Sequence, residues 1–189
     1  MLINLSSRPA AEASSLVDLL GECHHRIRHF IGLACAVARR RDVPAVEAAQ
    51  ACADAMRYFS EALPLHVADE EQSIAPRLRD RSPAVNDVLD ALSAQHLRHD
   101  ARIELLLRAL AEVRRAPLDE AAKSRLAAVA EPLQTEFEEH LALEERVIFP
   151  ALRHEVPAET QTSIVDELRE RRRASQRQPR STPAQEDEP

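Results

Sequence analysis

Tryptophan is absent, tyrosine occurs once, and only two glycines are found in 189 residues. Sheet proteins draw on aromatic side chains and on glycine turns, so this scarcity points to helices. Long apolar runs are missing as well, which excludes a membrane-spanning helix, since one needs about eighteen such residues or more. The opening stretch, MLINLSSRPAAEASS, has no basic region ahead of an apolar one, so no secretory signal is expected. The three cysteines, Cys23, Cys35 and Cys52, show no C-x-x-C spacing. They form neither a disulfide framework nor a zinc knuckle, and the expectation is buried thiols in a reducing cytoplasm. A basic surface is lacking too: the net charge of −7 argues against nucleic acid as a partner.

What is present is helical periodicity. A serine at 14 or 15 can cap a first helix whose apolar positions fall at Leu16, Leu20, Ile27, Ile31 and Ala34. A second helix is expected over about 44–80, with a kink or break at Pro64, which removes a backbone hydrogen bond. Ser82-Pro83 restarts a third helix that ends near Pro117. A fourth runs from about 119 to 153. Four long amphipathic helices with short connections predict an all-α, antiparallel four-helix bundle over 14–158. A flexible lead-in over 1–13, a short C-terminal helix over 159–173 and a disordered tail over 174–189 complete the expected organisation. The arginine-rich segment 169–173 and the acidic end can serve a protein partner, with a solvated tail as the simpler reading.

The chain also repeats itself. HVADEEQSIAPRLR at 66–79 and HLALEERVIFPALR at 140–153 share His, Ala, Glu-Glu, Ile, Pro, Leu and Arg in register. The helical stripes carry polar residues where apolar ones belong: His24, His66, Glu70, His96, His140 and Glu144. An unpaired buried carboxylate costs several kcal/mol and an unpaired imidazole about 1–3. That many at random would exceed the roughly 5–15 kcal/mol stability of a small domain. In His-x-x-x-Glu both side chains lie on one face, one turn apart. A histidine from each of four helices and a glutamate from two would meet at the bundle centre. This nitrogen and oxygen set suits iron or manganese and also admits zinc. Six ligands are too many for a single tetrahedral zinc, and they suit a pair of metals, each with two histidines, bridged by the two glutamates. Glu71 and Glu145 point about 100° away and are expected in solvent or hydrogen-bonded to a ligand. His25 sits on a polar face, so His24 is the inward histidine. His99, one turn from His96, is either a further ligand or a hydrogen-bond partner of one. Tyr58 is expected to pack in the core.

At these residues the chain resembles the hemerythrin-like, or HHE cation-binding, family. That family carries a histidine on helix one, His-x-x-x-Glu on helix two, a histidine on helix three and His-x-x-x-Glu on helix four. The resemblance covers about 14–172. It implies a non-haem di-iron site, bridged by carboxylates and an oxo or hydroxo group. It also implies a small partner: dioxygen, nitric oxide or peroxide. Members bind dioxygen, sense oxygen or nitric oxide, degrade peroxide like a catalase, or help repair iron–sulfur centres. The set here is closer to the repair-type and stress-type members than to the oxygen carriers, whose third helix carries His-x-x-x-His. Asp100 stands at the corresponding position.

Overall fold

The computed structural model describes residues 15–177, and the lead-in expected over 1–13 lies outside them. Five helices follow one another, with no strand among the described residues. Helix α1 is Leu16–Arg39 and α2 spans 45–78. Helix α3 is Pro83–Arg115, α4 spans 120–155, and α5 is Ala158–Arg177. Each start has a local cause. The Ser15 hydroxyl accepts from the Asp18 amide while Asp18 accepts from the Ser15 amide, a reciprocal cap on α1. Ser82 Oγ accepts from the Val85 amide, with Pro83 in the first turn of α3. The reversal between α2 and α3 is tight because Asp80 adopts a φ of 67°, and its amide donates to Asn86 Oδ1.

Helix α1 packs on α2 and α4, and α3 packs on α2 and α4, the ring of an up-down-up-down bundle. Helix α5 extends past the expected 173 and lies across α1 and α2 at one end. Residues 178–189 of the expected tail lie outside the described residues. No described helix is long and apolar enough to cross a membrane.

Pro64 does not break α2. The helix continues through a π-helical turn, Tyr58–Ala62, closed by the Leu63 amide donating to the Tyr58 carbonyl. The same device recurs at Glu70–Ile74 ahead of Pro76 and at Glu144–Ile148 ahead of Pro150. A proline ring clashes with the carbonyl four residues earlier and offers that carbonyl no N–H. Widening the preceding turn by one residue moves the carbonyl aside, and such π turns gather at functional sites. Two of the three begin at the glutamate of His-x-x-x-Glu. Pro132, inside α4, is accommodated without one.

The apolar interior is divided into two clusters. One holds Ile27, Phe59, Leu106, Leu133 and Phe137 toward one end of the bundle. The other holds Leu20, Ile74, Leu89, Ile148 and Leu152, closed by Ile164 and Leu168 of α5. Tyr58 belongs to the first cluster, stacked on Phe30 at 4.3 Å between ring centroids. The arginine-rich segment is used inside the chain. Arg171 and Arg172 both pair with Asp69, a carboxylate with no solvent exposure. A charge buried so fully persists only where opposite charge meets it, and this pair anchors α5 to the residue before Glu70. Arg169 and Arg173 pair along α5 itself, with Asp166 and Glu170.

Candidate metal centre

A polar layer separates the two apolar clusters. His24 stands between Leu20 and Ile27 on α1, and His96 between Leu92 and Leu106 on α3. His66 with Glu70 on α2, and His140 with Glu144 on α4, complete the layer. All four histidines and Glu144 are buried, and the Glu70 side chain is 14 % exposed.

The six side chains form two groups that share both glutamates. His24, His66, Glu70 and Glu144 make one, and His96, His140, Glu70 and Glu144 the other. In each group one atom per residue lies within 4.8 Å of the rest. Glu144 Oε2 is 2.9 Å from His24 Nε2, and its Oε1 is 2.7 Å from His140 Nε2. Glu70 Oε1 is 3.0 Å from His66 Nε2, and its Oε2 is 3.2 Å from His96 Nε2. Each carboxylate therefore reaches one histidine of each group.

His96 Nε2 and His140 Nε2 lie within hydrogen-bond reach of each other at 3.2 Å, but most of the layer's inward atoms are not hydrogen-bonded. His24 Nε2, both ring nitrogens of His66, Glu70 Oε2 and both Glu144 oxygens have no hydrogen-bond partner among the described residues. Native interiors rarely leave such atoms unsatisfied. Apart from His66 Nδ1, which faces away from His66 Nε2, these atoms converge on common points instead of aiming at one another, as ligands of a cation do. A donor set of imidazole nitrogens and carboxylate oxygens fits a first-row divalent metal.

The outward ring nitrogens support the same reading. Glu145 Oε1 accepts from His24 Nδ1 at 2.9 Å, Glu71 Oε1 from His96 Nδ1 at 2.9 Å, and Gln95 Oε1 from His140 Nδ1 at 2.7 Å. Holding the proton on Nδ1 leaves the Nε2 lone pair facing the centre. Burial would raise the Glu145 carboxyl, but Arg28, at 2.8 Å, and His24 outweigh it and hold the group below the usual carboxylate range. Burial likewise opposes charge on Glu70 and His66. Their mutual attraction prevails, pushing His66 well above and Glu70 well below their ordinary values. His96 is depressed by burial but carried up to about 9 by Glu70 and Glu71.

His99 belongs to neither group. Its ring meets the edge of His140 at 5.3 Å and Phe137 at 5.0 Å. Burial, then the neighbouring His140 and His96, push it down to about 4, so it is neutral at pH 7. Some contributors leave no periodic trace in the sequence. Gln95 is one, and Phe149, whose ring stacks on His24 at 4.9 Å, is another. Cys23 is buried beside His66 and takes contacts from Arg26 at 3.5 Å and Arg172 at 3.9 Å. Burial alone would raise its thiol, but His66 and Arg26 bring it to about 7.

A family model, the Hemerythrin HHE cation binding domain, matches residues 15–152. The match takes in every residue of the polar layer and leaves α5 outside. Among curated proteins, none matches the chain. With most of its length under that model, the chain belongs to the hemerythrin HHE cation-binding family.

Proposed function

We propose that the polar layer holds a non-haem di-iron centre that binds or senses a small ligand such as dioxygen, nitric oxide or peroxide. The observation that carries this is the pair of four-residue groups sharing Glu70 and Glu144. His24 and His66 would hold one iron, His96 and His140 the other, and both glutamates would span the pair. Iron at such a site supplies reversible electron transfer and affinity for oxygen- and nitrogen-centred ligands. The chain supplies the rest. Glu71, Glu145 and Gln95 fix three of the four imidazoles, those of His96, His24 and His140, in the tautomer that presents Nε2. The two apolar clusters exclude bulk water from the layer. Three free cysteines, all buried, suit a reducing compartment such as the cytoplasm, and roles in stress response or iron homeostasis fit there.

The test is metal analysis after iron-replete expression, followed by absorption spectra on adding dioxygen, nitric oxide and peroxide in turn. About two irons per chain and near-ultraviolet charge-transfer bands in the oxidised protein are expected. Iron well below that level, or spectra indifferent to all three ligands, would sink the proposal. Steady oxygen evolution from peroxide would move it from binding to turnover.

The outward hydrogen bonds allow a second measurement. Glu71→Ala should lower metal affinity about tenfold to a hundredfold in chelator competition, because His96 loses the group that orients it. Glu71→Gln keeps an acceptor oxygen and should lose less. Equal affinity in all three proteins would remove Glu71 from the site.

A further inference from the structure

Two voids touch the polar layer, and they are unlike in size and lining. One, of about 20 Å³, lies beside His66, His99 and His140. On the same measure a single water needs roughly 10–15 Å³, so this void suits a diatomic. The other, of about 130 Å³, adjoins Glu70, His96 and Glu144. Its inner walls are Leu20, Leu89, Leu92, Ile148 and Phe149, all buried. Polar atoms are gathered at the layer and at the rim, where Glu71 and Arg79 are exposed. The rim lies between α2 and α3, and there Ala75 and Ser93 are the small residues on either side.

A diatomic would leave most of the larger void empty. A Leu/Ile/Phe-lined cavity of about 150 Å³ is enough to hold benzene. We propose that this cavity binds a short aliphatic molecule of about six carbons with one hydroxyl-type head, an alcohol or hydroperoxide. The head lies at Glu70, His96 and Glu144, and the hydrocarbon lies among the leucines, Ile148 and Phe149. The inference deepens the small-ligand reading of this site, on which the placement of the head rests.

Full-length protein, both iron-loaded and metal-free, is titrated with 1-alkanols from ethanol to 1-octanol, reading the methyl NMR shifts of Leu92 and Ile148. Affinity should rise about threefold to fourfold per methylene, the transfer value for a buried CH₂, and stop rising near 1-hexanol. Ala75→Phe and Ser93→Phe each place a ring at the mouth and change none of the six residues of the polar layer. Either should weaken 1-hexanol at least about tenfold, about two methylenes' worth of burial, with circular dichroism and metal content unchanged. If one variant fails to fold, the other decides. Affinity independent of chain length, or 1-hexanol bound as well by the folded variants as by the parent, overturns the proposal. Alkanol binding in a protein blind to dioxygen, nitric oxide and peroxide would sink the di-iron reading and leave the cavity standing. The reverse result would sink the cavity alone.

Discussion

Glu144→Ala is expected to strip metal from both halves of the polar layer, whereas His24→Ala should strip it from one. The reason lies in the sharing of ligands. Glu144 belongs to both four-residue groups, with one oxygen 2.9 Å from His24 and the other 2.7 Å from His140. His24 belongs to one group only. Removing it leaves His96, His140 and both glutamates together, still enough donors for a metal with solvent completing the set. Iron should therefore fall from about two per chain to about one in His24→Ala, and well below one in Glu144→Ala. Glu70→Ala should behave like Glu144→Ala, and His140→Ala like His24→Ala. Glu144→Gln is the control for packing: it keeps the volume and loses the negative charge and one of the two oxygens. Metal analysis on folded protein reads all of them. If Glu144→Ala and His24→Ala lose equal amounts, the two groups do not act as sites bridged by shared carboxylates.

Much of this layer was legible because it violates the pattern around it. Each of the six residues stands where a helix stripe calls for leucine, and the duplicated His-x-x-x-Glu-Glu marks two of the four helices. The structure brings all six together. Other parts were hidden for identifiable reasons. A period of 3.6 cannot reveal a turn closed from residue i to i+5, so Pro64 reads as a kink or break and the π turn ahead of it leaves no mark. Arg171 and Arg172 looked like solvated charges because their partner, Asp69, is about a hundred residues away and lies beside a ligand candidate. Glu71 and Glu145 diverge from the first glutamates, as their offset along the helix requires, and so reach His96 and His24 from outside. Gln95 carries no signal at all, since a lone glutamine on a helix is usually solvated. The larger cavity depends on small side chains, Ala75 and Ser93, and small residues leave a hydrophobic pattern unchanged.

Removing metal should cost the fold more than any single surface change. The layer holds six buried nitrogen and oxygen atoms without hydrogen-bond partners, and each such atom costs about 1–3 kcal/mol when nothing satisfies it. The Glu70–His66 attraction offsets part of this, since it prevails over burial for both groups. A metal that binds the folded chain alone stabilises it by mass action, about 4 kcal/mol when its concentration is a thousand times Kd. In a chain of this length each kcal/mol moves Tm by roughly 2–4 °C. Chelation should therefore lower Tm by roughly 8–16 °C, and readdition of iron should restore it. The comparison that isolates the layer is a variant with leucine at His66, Glu70, His140 and Glu144. Well-packed apolar groups in place of buried charges are often neutral or stabilising. That variant should lose metal, melt above the metal-free parent, and show the same Tm with and without chelator. A parent whose Tm ignores chelation, with metal loss verified by analysis, would mean that the orphaned atoms are satisfied by something other than a cation.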